Sequence, residues 1–360
     1  MSAEPGAACG GPPSGQAQPG ACLTVPLLEI GGTHVTAALV RVGGAGPAQV
    51  VATRRAPLDA HGTAEAVVAA LLRAGRELGP VDPARWAVAL PGPFDYARGI
   101  ARYHGVGKFE ALDGLDLGAA LRAGLPSCTD VAFLNDAWAF AYGERAEGAA
   151  RGHDRVVGIT LGTGVGSAFL ADGAAVTEGP GVPPQGRVDL LVHDGRPLED
   201  TVSRRALTAA YAGATGRRSD VREIAAAARG GEVAALRVLT DAFGALGRVL
   251  AVWVRRFEAG ALVVGGSMTG SWDLIGPALT AGLLAGGAES PRPVRAEHVQ
   301  EAALVGAAWY VAGPRADADR GAGPRADADR GAGPRADADR GAGPRADTCR
   351  SVRGSEDHER

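Results

Sequence analysis

The stretch LLEIGGTHVTAALV, residues 27–40, sets a Gly-Gly-Thr turn between two apolar runs, and a third β-branched run at 50–55 follows before any long helical pattern begins. A dinucleotide-binding unit passes from its glycines directly into a helix. Three successive strands joined by short turns predict an antiparallel start instead. The spacing predicts strands over 25–30, 35–42 and 50–55, then a helix over 64–78 where apolar residues recur every three to four positions. Beyond it, β-branched runs at 86–90, 131–134, 156–161, 167–170 and 261–264 read as strands. Ala/Leu-rich stretches at 137–147, 203–211, 221–228, 232–258, 272–285 and 301–311 read as helices. This alternation predicts an α/β protein.

At 360 residues and 46% hydrophobic content, the chain can bury a large core and divide into two domains. Its formal net charge of −3 supplies no broad positive field, so neither nucleic acid nor an anionic membrane surface is an expected partner. No apolar run approaches the roughly 20 residues of a bilayer span. The first residues also lack the charged start and apolar stretch of a signal peptide, and a cytoplasmic protein is expected. Cys9, Cys22, Cys128 and Cys349 are scattered without C-x-x-C spacing, which argues against both zinc and a disulfide framework.

Both ends are compositionally biased. Residues 1–22 are mostly Gly, Ala, Pro, Ser and Gln and read as a flexible leader. From Gly313 the unit GPRADADRGA recurs at 313, 323 and 333, with a degenerate copy from Gly343. A unit without large apolar side chains cannot build a solenoid core, so residues 313–360 read as a solvated low-complexity tail, with a docking segment as the alternative.

Three glycine turns follow apolar strands. Gly31, Gly32 and Thr33 offer backbone N–H groups unshielded by Cβ atoms and a hydroxyl donor, which suits a phosphate; an ordinary hairpin turn is the plainer reading. The second, VVGITLGTGVGS at 156–167, carries Gly162, Thr163 and Gly164, and the third, LVVGGSM at 262–268, carries Gly265 and Gly266. Neither is the G-x-G-x-x-G fingerprint, and no G-x-x-x-x-G-K-[ST] loop exists, because Gly107-Lys108 is followed by Phe109. In FLNDAWAFAYGE, 133–144, an apolar strand ends at Asn135-Asp136 where a helix begins. That places a carboxylate at a strand's C-terminal end, where α/β sites gather. Equally, either residue could simply cap the helix.

Taken in order, LEIGGTHVTAALV, PGPFD (91–95), GVGKFEALDGLDL (105–117), LNDAWAFAYGE, GITLGTGVGSAFLADG and VVGGSM resemble the ROK family of bacterial sugar kinases and sugar-responsive repressors, its glucokinases above all. The resemblance covers roughly residues 24–312. It implies the actin and hexokinase architecture: two RNase-H-like lobes with ATP and sugar in the cleft between them. The first lobe would hold 23–130, the second 131–295, and a helix at 296–312 would return to the first. On this template Gly31, Gly32, Thr33, Gly162, Thr163 and Gly164 face phosphates, and Gly265 and Gly266 face adenosine. Asn135 binds a sugar hydroxyl and Asp136 takes the proton from the attacking one, with Mg²⁺ neutralising charge. A homodimer is also implied.

Three features bear on that template. The acid before Gly-Gly-Thr is Glu29 where the family carries Asp, and it would reach Mg²⁺ through water. The Gly-Glu-x-Gly-His stretch and its cysteine-rich zinc loop are replaced by EGPGVPPQGRVDL, 178–190, so no zinc site is expected. The family's sugar-binding Leu-Glu is kept in PLEDTVS, 197–203, which makes Glu199 a substrate-binding candidate; preceding a helix is its plainer role. His104 and Lys108 lie in the segment resembling the family's sugar-facing loop, and both also read as solvated loop residues. His34 is expected half-buried on the second strand. Because the altered stretch is where ring hydroxyls are read, the acceptor is expected to be a hexose or a C7-cyclitol of the valiolone type. A repressor would need a helix-turn-helix before the core, and an inactive sugar-binding protein is a further alternative.

Overall fold

A computed structural model describes residues 22–44 and 46–313; the leader up to residue 21 and the repeat tail from 314 lie outside the described residues. The first part runs β1 (Leu23–Ile30), β2 (His34–Val42), β3 (Gln49–Pro57), α1 (Ala64–Arg76), β4 (Ala84–Leu90), β5 (Phe94–Asp95), β6 (Ile100–Ala101), α2 (Leu117–Gly124), β7 (Cys128–Asn135) and α3 (Asp136–Glu147). The second runs β8 (Arg155–Leu161), β9 (Val165–Ala171), β10 (Ala174–Ala175), β11 (Val192–His193), β12 (Arg196–Pro197), α4 (Glu199–Val202), α5 (Arg204–Thr215), α6 (Val221–Arg229), α7 (Val233–Arg256), β13 (Ala261–Gly265), α8 (Trp272–Ala285), β14 (Pro293–Arg295) and α9 (Ala302–Ala312).

Strands β1 to β3 form the antiparallel meander that the opening predicts, and β4 and β7 add in parallel to give a five-stranded sheet ordered β3-β2-β1-β4-β7. Successive strand residues point to opposite faces, and both faces of this sheet are covered. Leu28, Ile30, Trp86, Val88 and Leu90 pack with Val67 and Leu71 of α1. Val25, Leu27, Ala87 and Ala89 pack with Leu304, Ala307 and Ala308 of α9. The small Ala87 and Ala89 side chains leave room for α9, which also crosses α3 at close range. A Cβ at Gly306 would collide with the Ala139 carbonyl, and one at Gly143 with Ala302.

A second five-stranded sheet, ordered β10-β9-β8-β13-β14, carries its own larger core. Helix α3 links the two halves: Ala139 belongs to the cluster under α9, while Phe140 and Ala141 pack on Val156, Ala168 and Val263 of the second sheet. Its C-terminal end is anchored by two carboxylates. Glu144 is fully buried and accepts backbone N–H groups from Ala149, Glu297 and His298 at 2.8–3.1 Å. Glu147 accepts from Ala48 N and Trp309 Nε1, both at 2.8 Å.

Several expectations need correction. A boundary at residue 130 would cut β7, the edge strand of the first sheet, so that sheet extends to Asn135. Helix α1 ends at Arg76 because Glu77 already caps it, and α7 spans Val233–Arg256, shorter at both ends than its apolar pattern. Helix α2 falls where no helix is expected; its LGAALRAG sequence is short, but Asp116 caps it by accepting from Ala119 N at 2.7 Å. Strand β14, three residues opened by a proline, is too short for a periodicity and exists through parallel pairing with β13. No helix among the described residues is long and apolar enough to cross a membrane.

Candidate active site

Parallel pairing brings the C-terminal ends of β1, β4 and β7 level. Glu29 is opposite Ala89, and Leu90 is opposite Asn135. The carboxylates of Glu29 and Asp136 therefore meet at one edge of the sheet, over a hundred residues apart in sequence. Part of Asp136 is exposed to solvent, but the protein packed around its carboxylate raises its proton affinity by desolvation; the Lys108 ammonium and the Ala137 N–H oppose that rise. Glu29 is pushed up to about 7, by burial first and then by the Asp136 charge, against a lowering influence from Arg55. Arg55 reaches it through the strand register, in which Glu29 is opposite Thr36 and Thr36 opposite Arg55. A hard cation with oxygen ligands would relieve the repulsion between the two carboxylates, so this donor pair fits Mg²⁺.

Both capping alternatives at the strand end have a structural answer. Asn135 is the N-cap of α3, its Oδ1 accepting from Ala137 N at 2.9 Å and Trp138 N at 3.4 Å. Its Nδ2 donates to the Tyr96 hydroxyl at 3.0 Å, which leaves one amide hydrogen for a ligand. Asp136 also accepts from Ala137 N at 2.9 Å through Oδ1. Tyr96 has no periodic or motif signal in the sequence. It is set by the short β5–β6 hairpin and packs on Trp138 of α3 with ring centroids 5.1 Å apart. Beneath it Tyr103 donates to Pro91 O at 2.6 Å, and burial holds both phenols protonated.

Lys108 is half-buried rather than solvated. The next residue, Phe109, is buried against Tyr103 with its N–H on Ala60 O at 2.7 Å, and this anchor presents Lys108 toward Asp136. His104 is exposed in the same loop and has no polar contact with Asp136, Asn135 or Glu199 among the described residues. His34 opens β2 half-buried, its Nδ1 3.3 Å from Thr33 Oγ1. The turn of Gly31, Gly32 and Thr33 is closed by Gly31 N donating to His34 O at 2.9 Å, and nothing occupies the space beside Gly32.

From the second sheet, the turn Gly162, Thr163, Gly164 joins β8 to β9, with Gly162 N on Gly164 O at 3.0 Å. Strand β9, which leaves this turn, lies against the start of α3 beside Asp136: a Cβ on Gly166 would sit 3.1 Å from the Ala137 Cβ. Glu199 lies against Gly164, where its carboxylate fills the space a Cβ would need. At Gly265 and Gly266 the steric demand comes from the protein itself. Cβ atoms there would strike the Phe140 ring and the Leu161 backbone, and Gly266 has φ +89°. Their small size is thus explained by packing.

The replaced stretch 178–190 contributes Arg187, which no sequence motif marks. Arg187 donates from Nε to Asp189 Oδ1 at 3.2 Å and pairs with the other oxygen through Nη2; it lies within electrostatic reach of Glu199 and Tyr96. The loop is held by Ser167 of β9, which accepts from Val188 N at 3.0 Å and donates to Gly186 O at 2.7 Å. A hydroxyl clamp and an internal ion pair thus hold the segment. Among the described residues no three His, Cys, Asp or Glu side chains gather as metal ligands. The site as a whole can orient a polyol and accept a proton at Asp136 beside two open glycine turns.

A family model described as ROK family matches residues 27–313. The chain is similar to the glucokinase of Thermotoga maritima, with 27% identity over 219 residues, covering 52% of this chain and 65% of that relative. The match therefore spans just under two thirds of the relative's length. Among solved structures, a ROK hexokinase from Thermus thermophilus matches with TM-score 0.63 and 28% identity over 81% of this chain and 98% of the other. A ROK family glucokinase from Streptomyces griseus, solved with glucose and AMPPNP, shares the fold at TM-score 0.63 and 24% identity, over 80% and 99% of the two chains. The α/β fold is that of ROK hexokinases, as the actin and hexokinase expectation holds. With the model matching nearly the whole described chain, the ordered motifs and the architecture agree, and the chain belongs to the ROK family.

Proposed function

We propose that the protein transfers a phosphoryl group from ATP to a hydroxyl of a sugar or sugar-like cyclitol, with Asp136 as the base. The observation that carries this reading is the placement of Asp136. It lies at the C-terminal ends of three parallel strands, beside Glu29, facing Lys108, and next to the Gly162 turn of the second sheet. Phosphoryl transfer needs positioning and charge neutralisation, with a base to take the hydroxyl proton. A raised proton affinity brings a carboxylate closer to the operating pH at which base catalysis is effective. Asn135 keeps one amide hydrogen for an acceptor hydroxyl, and Tyr96 fixes that amide's orientation.

Glu29 and Asp136 are the residues that would hold Mg²⁺, and a bound cation supplies charge neutralisation for the transferring group. The turns at Gly31, Gly32, Thr33 and at Gly162, Thr163, Gly164 provide N–H and hydroxyl donors for phosphates. On the acceptor side, Arg187 offers donors only and Glu199, when ionised, acceptors only, a pairing that suits neighbouring hydroxyls of a polyol. Reading residues up to Asn135 as one lobe and those from α3 as the other, with α9 returning to the first sheet, belongs to the same proposal; the packing of α9 on β1 and β4 supports it.

The test is ADP release by purified protein with Mg-ATP against glucose, other hexoses, N-acetylhexosamines and a C7-cyclitol. Asp136→Asn is expected to lose about 10² to 10⁴ in turnover while retaining ATP binding. Full activity in that variant would refute the assignment of the base.

A further inference from the structure

Helix α5 begins with Arg204, whose position ties together the two glycine turns of the second sheet. Its backbone N–H donates to Gly162 O at 3.2 Å, and its Nη2 lies 3.4 Å from Ser267 Oγ, just beyond Gly265 and Gly266. The two turns are themselves close, since Ser267 Oγ lies 3.6 Å from where a Cβ on Gly162 would be. The guanidinium therefore sits over the junction of β8 and β13, beside the exposed Thr163.

No carboxylate lies within ion-pair distance of Arg204 among the described residues, whereas its neighbour Arg205 is paired with Asp200. Arg204 is exposed, and one long hydrogen bond to a neutral hydroxyl uses one of its five N–H donors. A planar fork with free donors matches the geometry of phosphate oxygens. Here it is held between two turns that expose the Thr163 and Ser267 hydroxyls.

We infer that Arg204 binds the phosphate chain of the phosphoryl donor, bridging the Gly162 and Gly266 turns. This inference rests on the kinase reading and refines it: the ligand chemistry is an oligophosphate anion, supplied either by ATP or by inorganic polyphosphate. Arg204 acts in binding and takes no proton. Its removal weakens donor affinity and leaves the acceptor side unaffected.

The experiment compares wild type with Arg204→Ala, Arg204→Lys and Arg205→Ala. Affinity is measured by calorimetric titration with Mg-ATP and with polyphosphate in the absence of acceptor, and donor and acceptor KM are measured where turnover is found. Hydrogen bonds to charged groups contribute enough that Arg204→Ala is expected to weaken binding of the true donor about ten- to a hundredfold, with acceptor KM unchanged. Arg204→Lys is expected to recover part of the loss and Arg205→Ala to match wild type. Whichever of ATP and polyphosphate shows the Arg204-dependent loss is the donor. A change of less than twofold in both, or a shift confined to acceptor KM, overturns the role of Arg204 while leaving the kinase reading standing. Failure of the wild type to bind either compound overturns both. Thermal unfolding of each variant separates loss of a contact from loss of fold.

Discussion

Replacing Glu29 by Gln should make the protein more stable in alkaline solution and only slightly so in acid. In the folded chain Glu29 titrates near 7, against 4.5 for an unperturbed glutamate, because burial and then the Asp136 charge oppose its ionisation. Between those two values the folded state holds a proton that the unfolded chain has released. Stability therefore falls as pH rises from about 4.5 to about 7 and is level above that. At about 1.4 kcal/mol per pH unit, the full displacement amounts to roughly 3 kcal/mol. Gln keeps the size and hydrogen-bonding capacity of the side chain without the charge. Urea unfolding at pH 5 and pH 8, followed by fluorescence and circular dichroism to check that the transitions coincide, measures the difference. Glu29→Gln should exceed wild type by roughly 2 to 3 kcal/mol more at pH 8 than at pH 5. An equal effect at both pH values, or a loss at pH 8, would refute the claim that Glu29 is buried against a second charge. The same variant should lose activity, the usual exchange of function for stability at a repulsive site.

Other perturbations test separate parts of the structure. Glu144→Ala removes the acceptor of three buried backbone N–H groups and should destabilise the protein by about 3 to 5 kcal/mol, read as a large fall in Tm; Glu144→Gln should recover part of it. Arg187→Ala should raise acceptor KM about tenfold or more and leave the affinity for the phosphoryl donor unchanged, which steady-state kinetics with each substrate varied in turn would separate.

Much of the fold is legible in the residues because local periodicity writes it. The Gly-Gly-Thr turn between alternating apolar runs predicts the β1–β2 hairpin, and the apolar run ending at Asn135-Asp136 predicts a strand passing directly into a helix. Elements shorter than one period escape. Strand β14 is defined by its neighbour β13, and the hairpin that positions Tyr96 has only two residues on each side.

By itself the sequence determined the opening antiparallel strands, the longer strands and helices, the family, and the position of Asp136 at a strand end, because each depends on residues adjacent in the chain. Only the tertiary structure decided how Asp136 is surrounded. Glu29 meets its charge through the register of a parallel sheet and Lys108 through a loop anchored by Phe109, while Arg187 comes within reach of Tyr96 and Glu199 through a segment clamped by Ser167. It likewise decided that Gly265 and Gly266 are small to admit Phe140 and Leu161, and that Arg204 stands between two turns a hundred residues apart. Charge and steric contact act across space over a few ångströms, and the pairs they join here come from distant parts of the chain, so no local pattern records them.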